Sequence, residues 1–255
     1  MAILFDDIVF GPVHSRRFGT SLGINLLPVD YKFCTFNCIY CECGWTYKEH
    51  VKKGDLPSLE AITQAMEESF SSLAKTPDNI TFAGNGEPTV HPAFADIIDE
   101  TLRLRNKYLP SSKITVLSNA SQLHKPKIFE ALKKADNNVL KLDAGTEETF
   151  QKINNPAGKL SLETVISHLN KFNSDELTIQ TLFLRGVING KKIDNTTEEE
   201  LYQWLQHVKN INPKKVMIYS IDREPPAKNL EKLDYNELKN ISDKIEKAGI
   251  PTEIY

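Results

Sequence analysis

The residues with the most chemistry in them lie in one short stretch, Phe33-Cys34-Thr35-Phe36-Asn37-Cys38-Ile39-Tyr40-Cys41-Glu42-Cys43-Gly44-Trp45. All four cysteines of the 255-residue chain, Cys34, Cys38, Cys41 and Cys43, fall within it. A disulfide framework spreads its cysteines to close long loops, whereas one tight cluster points to metal. Structural zinc prefers two separated C-x2–4-C pairs, and Cys41 and Cys43 stand only two apart. Cys34, Cys38 and Cys41 follow C-x-x-x-C-x-x-C, with Tyr40 just before the third. A loop of that length wraps round one [4Fe-4S] cubane and aims three thiolates at three irons, leaving the last iron open to another ligand. Cys43 is left over: either a small packed residue, or a hydrogen-atom donor or redox partner beside the cluster.

Such a loop needs a frame, and the rest of the chain reads as repeated strand–helix units. Strands are expected at Ser21–Leu27, Asn79–Ala83, Lys113–Leu117, Val139–Leu142, Leu177–Leu184 and Val216–Ile221. Helices are expected from the Ser58 N-cap to Ala74, then over Ala93–Lys107, Pro126–Ala135, Leu162–Phe172 behind Ser161, Thr197–Lys209 and Tyr235–Ala248, the last closed by Gly249. Thr252–Tyr255 adds a short final strand. Six strands alternating with helices predict an α/β fold with a parallel sheet and right-handed crossovers. An open doubly wound sheet and a curved partial barrel both fit this alternation, and both put the site at the C-terminal ends of the strands.

Those strand ends carry further chemistry. After the first comes the cysteine loop. After the second comes Gly84-Asn85-Gly86-Glu87-Pro88-Thr89, where glycines let the backbone approach a ligand and Glu87 offers an anion to a cationic amino group. After the third comes Ser118-Asn119-Ala120, and after the fourth Lys141-Leu142-Asp143-Ala144-Gly145. Asn119 reads as a ligand contact or a turn residue. Asp143 reads as a partner for ribose hydroxyls or a helix cap. Lys141 shares a strand face with Asp143. The last two strand ends carry Arg185-Gly186 and Asp222-Arg223-Glu224-Pro225-Pro226, with Arg223 either on the substrate side or solvated. His14, Arg16 and Arg17 offer contacts to a phosphate or carboxylate, or a salt-bridged surface turn. Lys191 and Lys192 are expected in a loop within reach of RNA phosphate, or simply solvated. His50, His91, His124, His168 and His207 show no ligand spacing.

Composition sets the bounds. A content of 40% hydrophobic and 25% charged residues is ordinary for a globular chain. A net charge of −3 argues against broad, nonspecific nucleic-acid binding, though not against a local basic patch. Asp6 and Asp7 interrupt the first apolar run and no basic residue precedes it, so a signal peptide is not expected. No uncharged apolar run reaches membrane-spanning length. A soluble cytoplasmic protein without membrane contact is the expectation.

The cysteine loop resembles the signature of the radical S-adenosylmethionine (radical SAM) superfamily. That resemblance implies a six-unit partial (β/α) barrel and a free iron chelated by the amino and carboxylate groups of SAM. It further implies reductive cleavage of SAM to a 5′-deoxyadenosyl radical that abstracts hydrogen from a substrate, with a flavodoxin- or ferredoxin-like electron donor. Residues 84–88 are similar to the G-G-E-P stretch that binds the SAM amino group, with Asn85 departing from it. Ser118-Asn119-Ala120 is similar to the T-N-G or S-N-G stretch that contacts SAM. By the resemblance Tyr40, Gly84, Gly86, Glu87, Asn119 and Asp143 belong to the cofactor site, and Lys141 lies near the SAM carboxylate or the substrate. Cys43, Lys141 and Arg223 are the catalytic candidates.

Smaller stretches resemble the branch related to the wyosine-base enzyme of tRNA: residues 11–17, 21–25, 141–145, Ile153-Asn154-Asn155-Pro156 and Gln180-Thr181-Leu182-Phe183. The branch's second cluster has no cysteines here. The branch resemblance makes a nucleoside in tRNA the leading substrate, with a peptide or a small metabolite as the alternative, and a non-catalytic metal-binding or electron-transfer module is the competing class. The chain is expected to form one domain over 1–255, with a lead-in at 1–20 and a helix and short strand within 227–255.

Overall fold

A computed structural model describes residues 3–47 and 55–255; His50 falls outside them. The strands are β1 (Val9–Ser15), β2 (Gly19–Ile24), β3 (Asn79–Phe82), β4 (Lys113–Ser118), β5 (Asn137–Lys141), β6 (Leu177–Leu182), β7 (Leu184–Ile188), β8 (Lys191–Asp194), β9 (Lys215–Tyr219), β10 (Leu230–Lys232) and β11 (Thr252–Ile254). The helices are α1 (Leu59–Ser72), α2 (Phe94–Tyr108), α3 (Pro126–Lys133), α4 (Glu147–Asn154), α5 (Leu162–Leu169), α6 (Glu198–Ile211) and α7 (Tyr235–Lys247). One sheet has the order β1-β2-β3-β4-β5-β6-β9-β11. From β2 to β11 every pairing in it is parallel. The six expected units are therefore present as a partial barrel, and β11 extends it alongside β9.

The sheet's two faces follow strand alternation. Ile80 and Phe82, Ile114 and Val116, Ile179, Val216 and Ile218 are fully buried, and the Phe82 ring meets Phe94 of α2 edge-on. The opposite face is polar inside: Ser21 and Thr81 share a 2.7 Å hydrogen bond, and Thr115 donates to Asn79 at 2.8 Å. A polar interior is what a barrel that works on a ligand requires, because burial of those groups is tolerable only when they are paired. Ser58 and Ser161 cap their helices as expected, and Thr146, Thr197 and Asp234 cap three more.

Three expectations change. The lead-in contains β1, antiparallel to β2 with a register shift between Phe10 and Val13. The expected strand Leu177–Leu184 stops at Leu182, and after Phe183 the chain enters β7. There Asn189 and Gly190, both at positive φ, turn it back into β8, the Asn-Gly signature of a tight hairpin. Lys191 and Lys192 thus belong to a strand of a small sheet ordered β10-β7-β8, not to a loop. Helix α4 was not expected, although its signals are local: a Thr146 cap, Glu147 and Glu148 in the first turn, and Asn155 at φ 41° before Pro156.

His91 closes the turn after β3. Its Nδ1 accepts from Ala93 N at 3.2 Å while its Nε2–H donates to Pro57 O at 2.9 Å. Both nitrogens of the neutral ring are satisfied, and burial holds its pKa below the usual 6.5. The unfolded chain takes up a proton below about pH 6.5 and the folded ring does so only at lower pH. Stability is therefore present above that pH and is lost as pH falls. The urea midpoint is expected to decline from pH 7 to pH 5, and His91→Leu, though less stable at pH 7, should show a shallower decline.

Candidate active site

The cysteine loop hangs between two backbone supports. On one side Phe33 lies parallel to Gly86: Phe33 N donates to Asn85 O at 2.8 Å and Glu87 N donates to Phe33 O at 3.2 Å. Gly86 sits at φ 147°, and a Cβ there would come within 1.9 Å of Phe33 O, so the approach needs glycine. Asn85 is completely buried; its amide donates to Phe5 O and Pro28 O and accepts from Phe5 N. That is the structural use of the residue departing from the paired glycines. On the other side Asn37 N and Ile39 N donate to Asn154 O and Ile153 O, each at 3.0 Å, and Ala157 N donates to Thr35 O. The Ile153-Asn154-Asn155-Pro156 stretch thus grips the loop.

These supports place Cys34, Cys38 and Cys41 around one cavity of about 320 Å³, which Gly84, Gly86, Glu87, Asn119 and Lys141 also line. Amide N–H groups point at two of the sulfurs: Asn119 Nδ2 lies 3.6 Å from Cys34 Sγ and Asn154 Nδ2 lies 3.6 Å from Cys38 Sγ. Backbone Phe36 N adds a second donor to Cys34 at 3.3 Å. Burial pushes the Cys34 thiol up to about 12, against the pull of Lys32, and raises Cys38 as well. Cys41 is lowered to about 5, first by the hydrogen bond from Cys43. Lys32 is 3% exposed. Burial works against its ammonium, but the fields of Cys41, Cys34 and Cys38 outweigh that and raise its pKa. Three thiols, sulfur-directed N–H donors and one buried cation fit an anionic iron–sulfur cluster, whose potential such hydrogen bonds tune. Among the described residues no three His, Cys, Asp or Glu side chains converge as on a single ion; thiolates that each take a different iron need no such convergence.

Glu87 is 2% exposed. Oε1 accepts from Thr89 N, Thr89 Oγ1 and Ser118 Oγ, and Oε2 accepts from Asn119 N at 2.6 Å. Burial raises its pKa in spite of these donors. One acceptor position remains on Oε2. Asn119 donates to Thr35 at 3.0 Å and accepts from Ser121 N, tying the β4 end to the cysteine loop.

Asp143 has a different place from the one expected of a ribose partner. Its side chain is 0% exposed and lies outside the cavity lining. Oδ2 accepts from Tyr40 OH and from Asn154 Nδ2 at 2.7 Å, and Oδ1 accepts from Leu182 N at 2.9 Å. Lys141 Nζ stands 3.6 Å away. Both oxygens are engaged by protein groups, and the carboxylate holds Tyr40 in place. Lys141, its ammonium opposed by burial but held above the usual range first by Asp143, also reaches Tyr219 OH at 3.4 Å.

Cys43 lines the cavity and donates to Gly84 O at 3.4 Å. Arg16 and Arg223 stand at the mouth, paired with Asp222 at 3.0 Å and Glu42 at 2.9 Å. Arg17 lies with its guanidinium carbon 4.4 Å from the Tyr219 ring centroid. His14 is exposed on β1 outside the lining, and Lys192 pairs with Asp194 at 3.3 Å. Lys32 and Tyr219 at the site were not expected, and Asn154 and Gln180 stood in branch-like stretches with no role assigned to them. A long amide side chain in a strand otherwise of threonine and aliphatic residues, as Gln180 is, is the signal that could have found one of them.

The pattern of the Radical SAM superfamily matches residues 29–199, and the chain belongs to that superfamily: it is a SAM-dependent enzyme with a [4Fe-4S] cluster. Within it, the chain is similar to a UPF0026 protein of Helicobacter pylori, 32% identical over 238 residues, 92% of this chain and 72% of the relative. A UPF0026 protein of Methanocaldococcus jannaschii is 30% identical over 225 residues, 87% of this chain and 65% of the relative. Among solved structures, TYW1 with a lysine-pyruvate adduct bound superposes with TM-score 0.64 at 14% identity, covering 91% of this chain and 75% of that one. Streptococcus suis SuiB bound to S-adenosylmethionine gives 0.64 at 13% identity, covering 91% and 50%. At such identities the likeness is one of fold. Among the described residues no helix is long and apolar enough to cross a membrane.

Proposed function

We propose that Cys34, Cys38 and Cys41 hold the cluster, that residues 84–87 and Asn119 hold the methionyl end of SAM, and that a small substrate sits over the ends of β5, β6 and β9. The observation that carries this reading is the convergence of three thiols, Glu87 and Asn119 on one cavity, an arrangement of no use to an electron carrier. When bound, the reduced cluster supplies the electron that breaks a carbon–sulfur bond of SAM, giving methionine and a 5′-deoxyadenosyl radical that takes hydrogen from the substrate. The chain's own part is to bind, orient and exclude water. Lys32 offsets the thiolate charge, and the free acceptor of Glu87 takes the SAM ammonium. A flavodoxin- or ferredoxin-like protein of the cytoplasm, where thiols stay reduced, is the proposed electron donor.

A small substrate is favoured over a tRNA nucleoside because few basic groups are left for phosphates: at the rim Arg16 pairs with Asp222 and Arg223 with Glu42, Arg17 having no ion pair among the described residues, and on β8 Lys192 pairs with Asp194. Reduced, reconstituted protein should form 5′-deoxyadenosine slowly without substrate. Glu87→Ala should weaken SAM binding by about 1.5–3 kcal/mol, the worth of a hydrogen bond to a charged group. No 5′-deoxyadenosine from loaded, reduced protein would leave only a metal-binding or electron-transfer module. Specific tRNA binding at low salt, lost when Arg16 and Arg17 become Ala, would restore the nucleoside reading.

A further inference from the structure

Within the barrel, the strand ends furthest from the G-E-P loop carry groups that neither the cluster nor the proposed SAM site uses. Gln180 of β6 lines the cavity and is 6% exposed, yet its Nε2 is buried with no hydrogen-bond partner among the described residues. A buried amide left unpaired is destabilising, so its retention needs an explanation. In the sheet Gln180 stands beside Lys141 on β5, and the next inward residue, Leu182, stands beside Tyr219 on β9. Arg17 reaches across from the turn between β1 and β2. Among the described residues its guanidinium makes no ion pair and meets only the faces of Tyr219 and, 5.9 Å away, Tyr255. This contrasts with Arg16 and Arg223, which face carboxylates. Asp143, 3.6 Å from Lys141, is already engaged on both oxygens by Tyr40, Asn154 and Leu182.

Arg17 and Lys141 thus stand by one aromatic ring, Tyr219, Gln180 stands beside Lys141 in the sheet, and all four line the same cavity. An unpaired amide N–H and an arginine fork free of carboxylates are complementary to an oxyanion. We propose that Gln180 and Arg17, with Lys141 on the cluster side, form a substrate subsite that takes the carboxylate or phosphate group of a small substrate. This subsite would fix which hydrogen faces the radical, and it rests on the small-substrate reading given above.

The test uses the full chain without added cofactors, then the reconstituted protein. Thermal midpoints are measured in malonate, inorganic phosphate and sodium chloride at matched ionic strength. Malonate or phosphate should raise the midpoint above the chloride control, and whichever acts identifies the oxyanion class. Gln180→Leu should raise the ligand-free midpoint, by removing the unpaired amide, and abolish the oxyanion shift. Arg17→Gln should weaken the apparent oxyanion affinity at least tenfold, and Gln180→Met serves as a second variant should Leu pack badly. Equal midpoints in all three salts, or an oxyanion shift undiminished in the Gln180 and Arg17 variants, would overturn the proposal. A tenfold loss of SAM affinity in reconstituted Gln180→Leu would assign the subsite to SAM and also overturn it. Formation of 5′-deoxyadenosine is read separately, so failure of the subsite is distinct from failure of the proposed reaction.

Discussion

Replacing Cys34, Cys38 or Cys41 by Ala is expected to take the iron of anaerobically reconstituted protein from about four atoms per chain to almost none. All three thiols line the cavity, and no cysteine exists outside the loop to take the place of a lost one. Cys43→Ala should keep the iron, since the Cys43 thiol is directed at Gly84 O and Cys41. Iron determination and the cluster's visible absorption measure both. Complete iron loss in Cys43→Ala would mean that all four cysteines ligate and that no iron is left open for SAM.

Asp143→Ala is expected to destabilise the fold by about 3–5 kcal/mol, the range for breaking a buried ion pair by removing one partner. The carboxylate accepts from Tyr40, Asn154 and Leu182 and neutralises Lys141, whose side chain is only 16% exposed. Removing it leaves several buried donors and one buried ammonium without their acceptor. Lys141→Met should relieve part of that loss, so the double variant should lose less than the sum of the single ones. Urea unfolding of the four proteins completes the cycle. Additive losses would show that the pair contributes nothing as a pair.

The frame of the site was legible where its signals are local. The cysteine spacing, the glycines around Glu87 and the caps at Ser58 and Ser161 each lie within a few residues, and their types alone restrict the geometry. The role of Asp143 was not legible, for the opposite reason. Whether a carboxylate meets a ligand or seals a neighbour depends on Asn154 and Leu182, whose positions become known only when α4 and β6 have packed. Lys32 shows the same limit: adjacency to Cys34 does not reveal that its ammonium turns inward. The small β10-β7-β8 sheet escaped because Phe183 ends one strand and the next begins at once. A continuous apolar run carries no mark of that change of direction.

The two backbone supports of the cysteine loop also bear on durability. In modules that fold only around a metal, binding energy and folding energy are the same quantity, and loss of the ion is loss of the structure. Here the loop's shape is held by backbone hydrogen bonds to residues 85–87 and 153–157, which belong to the barrel and its α4 flank. Damage by oxygen should thus strip the iron without dismantling the scaffold. Restoring an inactivated molecule becomes a matter of resupply to a standing receptacle, and a cell can keep an idle stock of the polypeptide through aerobic spells.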